Sequence, residues 1–506
     1  MLARVTTFAI DGIDPREVSV EVDIRSGLPS FSIVGLGDTA VRESRERVRS
    51  AILNSGFEFP QRRITVNLAP AFLRKVGPGF DAAMALALLA ASGQLPPVDL
   101  VGVAAFGELS LSGGLRDCAG ALAVAEGAHR SGIPRLIVPR ERAAEAALVD
   151  GIVVLGVSDL RAAADAATGA RLPPEPVRRE LRSSTGGPDL ADVRGHELPI
   201  LALQIAAAGS HNVLLEGPPG TGKTMLARRL PSILPLLARS QALEVTRIHS
   251  IAGLHANGLL STRPFRAPHH TISAAGLVGG GVPPRPGEAT LAHRGVLFLD
   301  ELSEFNRPTL EALRQPLEDG EVAIVRGQRT LTLPTRFMLV GATNPCPCGF
   351  AGDAMRCTCT ESDLRRHWRR LSGPLLDRMD LLVDVQRPTE SALRAPPALD
   401  SETARACVNE ARDRQLARLR GSGATCNGEM DSRQVRDHVR LASGAEEAIS
   451  RAYASGVLSA RGRHRVLRVA RTIADLESHE RVLESDVLLA LSMRQRGTRD
   501  EGRRAA

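Results

Sequence analysis

Aromatic side chains make up only 3% of the 506 residues, with a single Trp and a single Tyr. That scarcity argues against a nucleic-acid reader built on stacking platforms, which sets an aromatic ring under each base. Lysine is scarcer still: of 64 basic residues only Lys75 and Lys223 are lysines. Arginine evidently serves wherever a generic positive charge suffices, so a retained lysine points to work that needs a compact, three-donor ammonium. Long apolar runs are missing too. The longest, Ala82 to Ala91, is about half the roughly 20 residues a bilayer span needs. The opening MLARVTTFAIDGID has neither the charged start nor the apolar core of a signal peptide. Seven cysteines in so long a chain do not form a disulfide framework. The expected location is cytoplasmic, with no membrane partner.

What is present is an ordinary globular composition, 43% hydrophobic and 24% charged, long enough for about three domains of roughly 150 residues. The net charge of +7 suits a polyanionic partner, although a bland basic surface gives the same figure. Val18–Ile24 and Arg63–Val66 read as strands by β-branched content. Asp38–Leu53 and Asp81–Ala91 read as helices, each opening on an Asp suited to capping. This mixed α+β region ends near residue 170, and 171–189, rich in Pro, Arg, Ser and Gly, reads as a linker. From 190 to 394 strands and helices alternate as in a parallel α/β core. Residues 395–493 are helical in pattern, and the polar, basic 494–506 is expected to be disordered.

The strongest signal is the strand-like His211–Glu216 running into GPPGTGKT, followed by a helical stretch. This is a phosphate-binding loop in its required strand–turn–helix context. Gly217, Pro218, Pro219, Gly220, Thr221 and Gly222 would wrap the phosphates of ATP with backbone amides at a helix N-terminus. Lys223 would reach the β- and γ-phosphates, and the Thr224 hydroxyl would face Mg²⁺. The chance-match alternative is a Gly-rich turn, but one of only two lysines falls on the functional position.

About 75 residues later GVLFLDEL ends a buried-strand pattern on two acids. Asp300 is assigned to Mg²⁺ and Glu301 to activation of the attacking water; two helix-capping carboxylates are the plainer alternative. A further strand, FMLVGA, runs into Asn344, whose amide suits the γ-phosphate or the water, or simply a turn before Pro345. In GPLLDRMDL, Arg378 is either a local ion pair of little worth or an arginine finger for a neighbouring subunit.

Taken together, HNVLLEGPPGTGKTMLARRLPSILP, APHHTISAAGLVGGGVPPRPGEATLAHRGVLFLDEL, LSGPLLDRMDL and SARGRHRVLRVARTIADLE resemble the magnesium-chelatase-type AAA+ ATPases of the ComM/YifB family. The resemblance covers essentially the whole chain. It implies a P-loop AAA+ parallel-sheet core, a helical C-terminal lid, and a preceding α+β Lon-protease-like domain of the ribosomal S5 domain 2-like kind. It also implies sensor 1 at Asn344, the arginine finger at Arg378 and the lid's sensor 2 at Arg461, with Arg465 and Arg468 one and two helical turns further on. A helix-2 insertion at about 265–290 and a hairpin at about 321–335 would line the pore of a ring. Arg326 and Arg329 at the hairpin turn would then grip DNA phosphates without reading bases; solvated arginines are the alternative.

In the Lon-like region, KVGPGFDAAMALAL has Gly79 where an active protease carries its serine, and GELSLSGGLRDCAGAL has no lysine. A Ser–Lys dyad cannot be assembled, so a DNA-binding or assembly platform is expected. Cys346, Cys348, Cys357 and Cys359 form C-x-C-x₈-C-x-C directly after Asn344. The cluster reads equally as a structural Zn²⁺ site or as a metal-free cysteine-rich loop, because C-x-C is tighter than the usual spacing. His269 and His270 are expected to serve the insertion loop. The resulting expectation is a hexameric, ATP-driven DNA motor, acting in branch migration during natural transformation with recombination proteins as partners. The alternatives are a magnesium-chelatase motor subunit and a non-enzymatic Lon-like module.

Overall fold

A computed structural model describes residues 2–494 except 178–179, 182–186, 255–257, 282–283, 327–328, 352, 354, 372 and 457. The tail from 495 therefore lies outside the described residues. The chain begins with a seven-stranded mixed sheet in the order 30–34, 63–69, 14–25, 2–11, 103–105, 135–139, 153–157. Its apolar alternation packs one face onto Asp81–Ala91, a helix buried along its whole length. The strand and helix expectations hold to within a few residues, except for what Asp81 does. Asp38 caps its helix, accepting from Val41 N, whereas Phe80 occupies the cap position before Asp81. Asp81 is buried instead. Its carboxylate takes the Ser44 hydroxyl, Arg47 Nε at 2.7 Å and Leu109 N at 3.2 Å. A helix with no exposed face gives a periodicity argument nothing to place an acid by.

The second sheet is five-stranded and wholly parallel: Phe265–Arg266, Val296–Leu299, Met338–Thr343, Val213–Glu216 and Leu381–Asp384. Numbered along the chain, its spatial order is two-three-four-one-five. Val296–Leu299 and Met338–Thr343 are buried at every position, as continuous apolar strands covered on both faces must be. Parallel strands need long crossovers, and these carry the helices Lys223–Ile233, Arg239–Ile251 and Arg307–Ala312.

Helices from Ser401 to Ser492 form the C-terminal region, and they share one apolar core with the five-stranded sheet. Their polar anchors lie at the N-terminal end of that sheet. His211 Nε2 meets Thr472 Oγ1 at 2.8 Å, Leu382 N donates to Met493 O at 2.6 Å, and Arg494 donates to Met379 O at 2.9 Å. The N-terminal sheet is also fused to the ATPase part rather than merely tethered. Helix Arg239–Ile251 completes its second core through Ala242 and Val245, and Ser250 Oγ donates to the buried Glu145.

Candidate active site at the carboxyl edge of the parallel sheet

In open α/β sheets ligands bind outside the carboxyl ends of the strands, and Lys223, Thr224, Asp300, Glu301 and Asn344 all follow strand ends there. Val213–Glu216 runs out into the loop at 217–222, and helix Lys223–Ile233 follows at once. The turn needs glycine at two kinds of place. Gly220 and Gly222 have φ of +76° and +90°, and a Cβ at Gly217 would stand 2.2 Å from Val385 O.

Lys223 Nζ donates to Gly217 O at 2.6 Å, Pro218 O at 2.8 Å and Asn344 Oδ1 at 3.1 Å. Burial pulls this ammonium below the ordinary lysine value, opposed by the charges of Asp300, Glu216 and Glu301. Thr224 Oγ1 donates to Asp300 Oδ2 at 2.7 Å. A hydroxyl and a carboxylate side by side form the hard-oxygen donor set that Mg²⁺ prefers. With loop amides and an ammonium beside them, these residues fit a magnesium nucleotide. Glu301 adopts a left-handed backbone, φ 51°, which turns its side chain away from the strand; that side chain is 60% exposed.

One neighbour was not legible in sequence. His270, expected to serve the insertion loop, places Nδ1 3.6 Å from Glu301 Oε2 and packs against Phe305. His367 is a second: its Nε2 meets Asn344 O at 2.9 Å and fixes the main chain there. Neither had a partner at a recognisable sequence spacing.

Two expected residues lie elsewhere. Arg378 follows the short helix Gly373–Leu376 and precedes Leu381–Asp384, so it stands at the amino end of the sheet, opposite the phosphate loop of its own chain. It forms an ion pair with Glu318, on helix Arg314–Asp319. Burial, then the like charges of Arg314 and Arg461, pulls it below the ordinary arginine value. Arg461 is exposed near the start of helix Ala460–Leu476, on the Arg378 side. Arg378, Arg465 and Arg468 line a cleft of about 640 Å³ between the sheet's amino end and the C-terminal helices.

The expected insertion forms helix Ala274–Val278 and a small hairpin joining Gly279–Gly280 to Arg285–Pro286. The second hairpin pairs Glu321–Arg326 with Arg329–Pro334. Gly327 and Gln328 and the side chains of Arg326 and Arg329 lie outside the described residues. In the N-terminal domain a Cβ at Gly79 would fall 2.3 Å from the Phe106 ring, and buried Lys75 donates to Pro70 O. An aromatic ring fills the space a nucleophile's side chain would need.

The four clustered cysteines bring all their sulfur atoms within 4.8 Å of one another. Burial pushes the Cys346 thiol up to about 12, while the Phe350 backbone N–H brings Cys348 down to about 6.

A phosphate-loop sheet of this strand order, with a lysine, a threonine–aspartate pair and a polar amide at its carboxyl edge, defines an AAA+ ATPase module. Family models agree. Residues 189–393 match "Magnesium chelatase, subunit ChlI", 20–142 match "Subunit ChlI of Mg-chelatase", and 398–494 match "Magnesium chelatase, subunit ChlI C-terminal". YifB of Escherichia coli is 42% identical over 497 residues, covering 97% of each chain. The competence protein ComM of Haemophilus influenzae is 39% identical over 502 residues, again 97% of each. Lon protease 2 of Bacillus subtilis is 30% identical over 210 residues, 37% of each chain. The chain belongs to the ComM/YifB family of magnesium-chelatase-type AAA+ proteins. Among the described residues no helix is long and apolar enough to cross a membrane.

Proposed function

We propose that this protein is an ATP-driven, ring-shaped DNA motor of the cytoplasm, a branch-migration helicase working in homologous recombination during transformation. The observation that carries the ATPase reading is the paired contact of Lys223 with Asn344 and of Thr224 with Asp300 at one sheet edge. The DNA reading leans on full-length likeness to a competence protein and on the net charge of +7.

In this mechanism the loop amides and Lys223 would bind the triphosphate, and Thr224 and Asp300 would hold Mg²⁺. The metal supplies charge neutralisation at the β- and γ-phosphates when bound. Glu301 receives the proton of the attacking water at a carboxylate oxygen. Asn344 orients that water or the γ-phosphate. Arg378, at the far end of the sheet, cannot reach its own phosphate loop: four strand residues at about 3.3 Å each already separate the two edges. It therefore serves the nucleotide of the next subunit in a hexamer, and Arg461 beside it does the same. The insertion helix and the hairpin at 321–335 then move with nucleotide state along DNA in the pore.

The test is ATP turnover and strand exchange on labelled forked and four-way DNA. Stimulation of turnover by branched DNA together with ATP-dependent unwinding is expected. Turnover indifferent to every DNA tried, but raised by a porphyrin and Mg²⁺, would favour the second reading, a chelatase motor subunit, which the family models' descriptions suggest. Nucleotide turnover unchanged in Lys223→Ala would leave a non-enzymatic module.

A further inference from the structure

Among the described residues, the four cysteines after Asn344 form a cluster that could hold a metal ion and that nucleotide hydrolysis does not use. Cys346 and Cys348 Sγ stand 3.3 Å apart, Cys348 and Cys357 3.7 Å, and all four sulfurs lie within 4.8 Å. A tetrahedron of sulfurs around Zn²⁺ with bonds of about 2.3 Å has edges of about 3.8 Å. The spacing found is that of a tetrathiolate shell. None of the four is in a disulfide, and Ala351 N donates to Cys346 Sγ at 3.2 Å, the kind of outer-shell hydrogen bond that steadies a thiolate ligand. Four thiolates with no open position suit zinc in a structural, not a hydrolytic, role.

Position gives the site its purpose. Cys346 lies two residues beyond Asn344. The turn from Cys346 closes with Gly349 N donating to Cys346 O at 3.0 Å. A Cβ on Gly349 would come within 2.6 Å of Pro219 Cδ, so this turn rests directly on the phosphate loop. Cys359 is followed at once by Thr360, which caps helix Glu361–Arg370, and that helix carries His367 to Asn344 O. Both ends of the cysteine loop are thus tied to the Asn344 main chain.

We propose that Cys346, Cys348, Cys357 and Cys359 bind one structural Zn²⁺, and that the resulting knot positions Asn344 and the Pro218–Pro219 turn. All four sulfurs bind as thiolates, those still protonated releasing their protons to solvent, with no redox change. The positioning role rests on the assignment of Asn344 to the nucleotide; the metal site itself does not.

The experiment uses the full chain purified without chelator. Elemental analysis is expected to find about one zinc per chain, and cobalt substitution to give the intense visible bands of tetrahedral cobalt in sulfur coordination. Iron as the bound metal, disulfides between the four, or no metal would overturn the site. Cys348→Ser/Cys357→Ser is expected to lose the zinc, weaken ADP binding through the loosened Pro218–Pro219 turn and lower kcat at least tenfold; unchanged kcat and ADP affinity in zinc-free protein would overturn the positioning role. Gly349→Ala keeps all four ligands and is expected to hold full zinc while weakening nucleotide binding through Pro219. Full nucleotide affinity in that variant would equally overturn the contact. Absence of hydrolysis by the unaltered protein, with zinc bound, would instead count against the ATPase reading and leave the metal site standing.

Discussion

At the level of single residues, the division of labour among the acids is set by geometry. Asp300 is held by the Thr224 hydroxyl at 2.7 Å, whereas Glu301, next in the chain, is exposed and has His270 Nδ1 at 3.6 Å. The Glu301→Gln variant keeps shape and removes proton acceptance, so it is expected to bind ATP normally and turn over about 10²–10⁴-fold more slowly. Equilibrium binding and single-turnover hydrolysis check this together. Removing the His270 side chain takes away the imidazole that stands 3.6 Å from Glu301 Oε2. A shift in kcat without a shift in ADP affinity is the expected signature of His270→Ala. The identities of these acids, Lys223 and Thr224 were readable because each sits at a fixed offset from a strand end. His270 and His367 were not readable, since their partners are 31 and 23 residues away and no local pattern encodes such a contact.

Elements decide what the arginines can do. Arg378 occurs in a motif that sequence alone leaves open between a local pair and a finger. The strand that follows it runs parallel to the phosphate-loop strand, with Leu381 opposite Val213 and Asp384 opposite Glu216. That register puts Arg378 at the wrong end for its own nucleotide. Under the proposed ring, mixing slow Arg378→Ala subunits with slow Glu301→Gln subunits is therefore expected to restore part of the turnover, because the arginine of one serves the intact site of the other; ATPase rates that never rise above those of the separate variants would rule out action in trans. The helical region carries a buried charge knot as well. Asp475 binds Arg418 at 2.7 Å and Arg471 at 2.9 Å and accepts from Asn427. Asp475→Ala leaves two guanidinium groups without their shared anion and is expected to cost about 3–5 kcal/mol, seen as a lower midpoint in chemical denaturation.

For the molecule as a whole, several buried or half-buried ionisable groups sit below their usual values. Burial lowers His211 and His293. Glu244 is held down to about 2, first by the hydrogen bond from His293 and then, against burial, by the Arg294 charge. Burial would raise Asp380, but His211, Arg468 and Arg465 overcome it and depress it well below the carboxylate range. In every case the unfolded chain binds protons more readily, so stability rises with pH. The histidine contribution is present above about 6.5 and fades as pH falls below it. The carboxylate contribution holds above about 4 and is lost below. A thermal midpoint that declines from about pH 6.5 downward and steepens below about 4 is expected in calorimetry, with Asp380→Asn flattening the acid limb.

The parallel core, its phosphate loop and the helical C-terminal region were legible because apolar strands end on glycine, lysine and paired acids at regular intervals, and these are local events. So were the helix at Thr39–Asn54 and its Asp38 cap. The role of Asp81 escaped, because an acid on a fully buried helix answers to Arg47 and Ser44 from another helix. Local sequence thus determined which chemistry the chain carries. Tertiary structure alone decided which end of the sheet each charge faces, that the N-terminal domain shares a core with helix Arg239–Ile251, and that a cysteine loop leans on Pro219. The physical reason is range. Caps, turns and strand periodicity act over a few residues, whereas register and packing join residues a hundred or more positions apart.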